Sequence, residues 1–320
     1  MTNCYTPEGS LFGTRENREY VCSRQGLTRA LAEGKILEAT ALLCDSRMRL
    51  HVDLYGMTGI IDRSEAVYDP TGKDVKDIAV ITRVGKPVCF KVLGFAYEDG
   101  REVALLSRRE AQKECLRSAL CDMIPGDVIE ARVTHLDNFG AFVDIGCGIV
   151  SLLSIDCISV SRISHPSDRL SVGDKIFTVI KSIDREGGRI FVSMRELLGT
   201  WEQNAAEFEV GQTVAGIVRS IESYGVFIEL APNLAGLAEI RDGTADGDIA
   251  RVGEHAAVYI KSILPDRMKI KLVLIDSYHG SAPTPKLKYF VDCSTTKHID
   301  YWRYSPKNAS KVIETVFEEY

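Results

Sequence analysis

Two aromatic side chains three residues apart stand in Phe139-Gly140-Ala141-Phe142-Val143-Asp144, and the pattern returns in Tyr224-Gly225-Val226-Phe227-Ile228-Glu229. The chemistry such rings offer is stacking. A flat side chain on an open β surface presents a π-face to any nucleobase, worth about 1–3 kcal/mol per base. Basic residues follow each copy. Asp184 and Arg189 bracket Glu186-Gly187-Gly188 after the first, and Leu264 and Lys269 occupy the matching places after the second. A guanidinium can contact phosphate or lie against a base plane. The competing reading is that the rings cover a barrel surface against a neighbouring unit. Two rings per unit, repeated beside a basic residue, favour nucleic acid. No residue set on the chain suggests bond-breaking chemistry. There is no Walker-type phosphate loop, no Gly-x-Ser-x-Gly elbow and no His-Glu-x-x-His. Neither Cys nor His shows zinc-ligand spacing. The chain is therefore read as a non-enzymatic binder, with no cofactor or metal expected.

The elements that must carry these side chains read as strands. Ile129, Ala131 and Val133 alternate with Glu130 and Arg132; Ala141, Val143 and Ile145 alternate with Phe142 and Asp144. Ile176, Thr178 and Ile180 alternate with Lys175 and Phe177, and Ile190, Val192 and Met194 with Arg189, Phe191 and Ser193. Period-two runs of this kind mark half-buried antiparallel strands. Asn138, Gly146 to Gly148 and the Gly187-Gly188 pair supply turns. A short strand near Ser151 brings the number to five, and five strands in so short a span suggest a small closed barrel. Parity puts Phe142 and Phe227 on the polar face, beside Asp144 and Glu229. Phe139 and Tyr224 precede the glycine, where a ring can turn either way.

The repeat extends beyond the hexapeptide. Gly126-Asp127-Val128 precedes the first copy as Gly211-Gln212-Thr213-Val214 precedes the second, and Lys181-Ser182-Ile183 returns as Lys261-Ser262-Ile263. A weaker unit lies upstream, with Gly34, His51-Val52-Asp53 and Val84-Gly85-Lys86-Pro87-Val88. Recurrence at a fixed period signals repeated structural units.

The 320 residues are 45% hydrophobic, enough for several cores, and carry 39 basic against 45 acidic side chains. That balance argues against duplex binding driven mainly by phosphate neutralisation, though not against single strands, where stacking carries much of the affinity. No apolar run is long enough to span a bilayer, and Met1-Thr2-Asn3-Cys4 does not open a signal peptide. Nine scattered cysteines without a Cys-x-x-Cys pair fit a reducing cytoplasm. Cys44, Cys89, Cys147 and Cys157 are expected to pack as small hydrophobes.

These motifs resemble the S1 RNA-binding domain, an OB-fold barrel. The resemblance rests on Phe-Gly-Ala-Phe-Val-Asp, Val172-Gly173-Asp174 and the closing Arg-Ile-Phe-Val-Ser. It is strong over 124–198, good over 209–276 and weak over 33–110. The stretch 199–208, containing Trp201-Glu202, is similar to the helical linkers joining tandem domains in bacterial ribosomal protein S1, and His165-Pro166-Ser167 is similar to a loop there. The resemblance implies a mainly β fold: tandem five-stranded OB-fold barrels with short helical linkers. It also implies RNA-contacting positions at Phe139, Phe142, Asp184 and Arg189, and at Tyr224, Phe227 and Lys269. The family's third-strand His is replaced by Ser154 and Glu239, and His165 is read either as compensating from its loop or as a solvated loop residue. Glu239 would repel phosphate, so the last unit should bind more weakly. In the first unit Met48 and His51 fall at the ring positions and Val103 at the basic one. That unit is expected to bind protein or to have kept only the fold. The partners so implied are single-stranded RNA, most simply mRNA, and the small ribosomal subunit or another protein of RNA metabolism. The alternative is a scaffold of barrels that dock on a ribosomal, polymerase or nuclease partner.

The ends lie outside the repeat. Residues 1–32 are expected to be a helical extension, with one helix from Arg15 to Ala32 stopped by Gly34, and 111–123 a linker. Residues 277–320 are expected to form a small α/β extension. Lys286 to Cys293 alternates like a strand, and Ser305-Pro306 signals a helix carrying Val312, Ile313, Val316 and Phe317. The basic and aromatic residues between them are expected to dock this tail on the last barrel, the alternative being that they extend a nucleic-acid surface.

Overall fold

The computed structural model describes residues 6–69, 75–239, 250–278 and 287–318. It contains three closed five-stranded barrels in tandem, each with its fifth strand inserted between the third and fourth. The first is built from β1 (Leu37–Cys44), β2 (Leu50–Asp53), β3 (Thr58–Ile61), β4 (Pro87–Glu98) and β5 (Arg101–Ser107). The second comprises β6 (Val128–Asp137), β7 (Gly140–Asp144), β8 (Val150–Ser154), β9 (Lys175–Asp184) and β10 (Arg189–Ser193). The third comprises β11 (Thr213–Glu222), β12 (Gly225–Ala231), β13 (Leu234–Glu239), β14 (His255–Leu264) and β15 (Lys269–Tyr278).

The long first strand of each barrel serves two neighbours. Val128 to Arg132 pairs with β9, and Arg132 to Asp137 with β7, across a bulge between Val133 and His135. Bulges occur between Ala41 and Leu43 and between Val218 and Ser220 at the matching places. A bulge bends and twists its strand, which lets one short sheet wrap around. A parallel pairing of third and fifth strands, Leu152 opposite Phe191 in the second barrel, closes the cylinder. The alternating apolar residues fill the interior. Ala131, Val133, Ala141, Val143, Leu153 and Val192 are all fully buried in one cluster.

Short helices join the barrels. α1 (Arg15–Val21) and α2 (Arg24–Glu33) replace the single helix expected over 15–32. Ser23 interrupts it because its side chain accepts the Gly26 N–H and caps a new start, while Gly34 ends α2 at a left-handed φ of 64°. α3 (Asp77–Ile81) lies within the first barrel. The stretch 111–123 belongs to α4 (Arg108–Asp122), which is capped by Ser107 and packs against β4. α5 (Ile155–Ile158) follows β8, and α6 (Trp201–Ala205) starts with a Thr200–Gln203 capping box and inserts Trp201 into the third barrel's core.

Polar joints hold the units together. The Glu8 carboxylate grips Arg108 at 2.6 and 2.9 Å and accepts the Cys89 N–H. The Glu8 N–H donates to Asp144 at 2.8 Å. Beyond the second barrel, Arg169 and Arg219 both pair with Glu229, the latter at 2.6 Å. Asp144 and Glu229 were expected on an open polar face. They are 2% and 3% exposed, because that end of the strand is covered by the N-terminal segment around Glu8 in one case and by the loop of the preceding barrel in the other.

The C-terminal segment departs most from expectation. Residues 287–293 form no strand, and no helix follows Ser305 among the described residues. The Ser305 hydroxyl instead accepts the Ile313 N–H, and β16 (Tyr301–Arg303) pairs with β17 (Glu314–Val316) as a hairpin. The β-branched Val312, Ile313, Thr315 and Val316 suit a strand, and cross-strand pairing prevailed over the local Ser-Pro signal. The segment also docks on two barrels rather than the last alone. Tyr289 packs edge-on against Phe177 and accepts its N–H, His298 bonds Asp127 at 2.7 Å, and Trp302 and Tyr304 join the third barrel's core.

Candidate nucleic-acid interface

The register of the second barrel places one row of outward side chains across all five strands. His135 lies opposite Phe142, Phe142 opposite Leu152, Leu152 opposite Phe191 and Phe191 opposite Ser182. Phe139 stands at the entry to β7, edge-on to Phe142 with ring centroids 5.8 Å apart. The His135 ring lies roughly parallel to Phe142, at 6.0 Å and 27°. Parity favoured Phe142 over Phe139 as the open ring, and the order is reversed. Phe139 is 51% exposed, whereas Phe142 is half-buried between Phe139 and His135.

Arg189 and Asp184 face each other at the base of the β9–β10 hairpin. Asp184 accepts the Gly187 N–H at 2.8 Å and so fixes the turn. The exposed Arg189 guanidinium makes no hydrogen bond or ion pair with any described residue. The structure therefore gathers Phe139, Phe142, Asp184 and Arg189 on the β7–β10 side, and adds His135 and Phe191. His135 escaped the sequence pattern because Thr134 is the extra residue of the bulge, which resets the alternation beyond Val133.

His165 is not part of this group. It caps the 3₁₀ turn Pro166–Asp168, accepting the Ser167 N–H on Nδ1, while Asp168 accepts back from the His165 N–H. The same loop delivers Asp168 and Arg169 to the joint with the third barrel. The residue at the third-strand position, Ser154, is itself bonded to Asp156.

The third barrel repeats the arrangement with different chemistry. Tyr224 is 59% exposed and sits edge-on to Phe227 at 6.1 Å. Its cross-strand row runs Ser220, Phe227, Leu237, Lys271 and Ser262. Lys269 is opposite Leu264. Glu239 pairs with Lys271 at 2.9 Å, and that hydrogen bond together with the ammonium charge holds its carboxyl below the usual range. In the first barrel His51 occupies the Phe142 place, between Leu43 and Ile60. Its Nε2 is tied to Asp45 at 3.1 Å. Val103 stands where Arg189 does, opposite Ala96, and offers no charge.

Residues 122–195 match the S1 RNA binding domain family. The second barrel is an S1 domain. The chain is similar over much of its length to the small ribosomal subunit protein bS1 of several bacteria. It is 29% identical to that of Rhizobium meliloti (strain 1021) over 234 residues, covering 70% of this chain and 40% of the relative. For Staphylococcus aureus (strain COL) the figures are 30% over 212 residues, 62% and 52%. For Staphylococcus saprophyticus they are 35% over 143 residues, 44% and 35%. The chain thus spans about half or less of the length of these curated relatives. Around the matched S1 domain stand two barrels of the same strand order, so the molecule is a tandem of five-stranded OB-type barrels. No helix among the described residues is long and apolar enough to cross a membrane.

Proposed function

We propose that this chain binds single-stranded RNA, with messenger RNA as its natural substrate, and acts in translation beside the small ribosomal subunit. The observation that carries the reading is the second barrel's open surface, on which exposed Phe139 and half-buried Phe142 and Phe191 accompany a guanidinium with no described partner. Rings supply sequence-tolerant stacking and the free cation supplies a phosphate or base-plane contact. The third barrel is an auxiliary site, its charge partly spent within the Lys271–Glu239 pair. The ribosomal partner is carried over from the relatives named above, and a cytoplasmic location goes with it.

The first barrel supports a second role. Its ring position is locked by Asp45, Leu43 opposite it is exposed, and so are Leu93 and Tyr97 on β4. We assign this unit to docking on a protein of the ribosome or of RNA metabolism rather than to RNA.

The test is a titration of fluorescent single-stranded and duplex RNA over a range of salt. Binding confined to the single strand, with a shallow salt slope, is expected, because few phosphates are neutralised. Preference for the duplex or a steep slope would overturn the reading.

A further inference from the structure

The first-strand place of the cross-strand row is one at which the second barrel differs from both siblings. His135, on the first strand, lies directly opposite Phe142. The third barrel has Ser220 at that register and the first has Leu43. The His135 side chain is exposed. Its ring is held nearly parallel to Phe142, within the range of offset stacking, and neither ring nitrogen bonds a described residue. Phe139 also meets Phe142, edge-on. The half-buried Phe142 is therefore the middle ring of three, and the two outer rings are the open ones. The third strand, by contrast, offers no ring: Ser154 is bonded to Asp156.

We infer that His135 is a base-stacking residue of the RNA surface, extending it from the second strand onto the first. The inference rests on the RNA reading above. It gives the second barrel a stacking place on its first strand that the third lacks, where Ser220 stands at that register. Buried histidines usually answer to a hydrogen bond or a metal, but this ring is open, unbonded among the described residues and aligned with its neighbour. Packing against Phe142 alone needs no such exposure.

The test is fluorescence anisotropy with the full chain and a labelled oligouridylate of about 8 nucleotides, within the span one barrel covers. His135→Ala should weaken binding roughly fivefold or more, and His135→Phe, which keeps a ring, should bind as the native chain does. Thermal melts accompany each variant. A His135→Ala chain that melts lower but binds RNA unchanged would overturn the inference, since the ring would then serve packing only. Equal losses in the Ala and Phe variants would also overturn it. If Phe142→Ala loses affinity and His135→Ala does not, this inference fails while the RNA reading stands. If the native chain binds no oligouridylate, both fall.

Discussion

Asp144 accepts the backbone N–H of Glu8 at 2.8 Å, joining residues on either side of the first barrel. The acid that closes the recurring hexapeptide is therefore a joint between barrels, while the ring two residues before it faces outward. Asp144 also accepts the N–H groups of Gly146 and Gly148. Asp144→Ala would leave these donors buried without partners, at about 1–3 kcal/mol for each that finds no water. We expect a lower urea midpoint and little change in affinity for a short RNA at the second barrel. The two readouts should separate in the opposite sense for Phe142→Ala.

Stability should also depend on pH through Glu38. Its carboxylate accepts the N–H groups of Gly9, Leu11 and Phe12, and burial nevertheless pushes its pKa up to about 7. A carboxyl whose folded-state pKa lies above its unfolded value binds more protons when folded. Its contribution is therefore complete below the ordinary value near 4.5 and is lost as pH rises through about 7. Glu8 runs the other way: despite burial, Arg108 holds it low, so its contribution is lost as pH falls through the carboxylate range. Glu38→Gln keeps an acceptor without the charge. Chemical denaturation at pH 5 and pH 8 should show a smaller decline for the variant, by on the order of 1–3 kcal/mol.

The tail should act as a strap across the second and third barrels. Lys297 O accepts the Val128 N–H, Gly126 O accepts the Ile299 N–H, and Tyr304 donates its hydroxyl to Asn233 O. Replacing Tyr289 and His298 together by Ala removes two of the side-chain anchors on the second barrel, leaves Cys293 and Ile299 packed there, and keeps Trp302 and Tyr304 in the third. Limited proteolysis should then cut within 287–300 far faster than in the native chain. An unchanged cleavage rate would show that these two side chains are not what holds the strap.

Glu239→Gln should strengthen RNA binding. The change removes a carboxylate from the third barrel's face and frees Lys271 from its exposed pair. Exposed pairs add little to stability. The fold should stay intact while affinity at low salt rises, by roughly twofold to fivefold, and the gain should fade as salt screens the charges.

The barrels were legible in the sequence because each strand alternates cleanly and the inward set is β-branched or aliphatic throughout, as at Ala141, Val143 and Ile145. The rings were legible because they recur. Three things were not. His135 lies beyond a bulge, and an extra residue in a strand leaves no mark on composition. Asp144 and Glu229 have outward parity, and alternation cannot say that another unit covers the outside of a barrel. The hairpin at 301–316 depends on pairing between segments that are apart in the chain, whereas Ser305-Pro306 reads locally as a helix start. The last two are tertiary contacts overriding a local pattern.

The most direct test of the account is the affinity of the Phe142→Ala, Arg189→Ala double variant for a short unstructured RNA. Neither side chain is fully buried, so circular dichroism and melting should match the native chain. We expect affinity to fall by at least about tenfold, from the loss of one stacked base and one cationic contact. A folded double variant that binds RNA as tightly as the native chain would contradict the assignment of the second barrel as the principal RNA site.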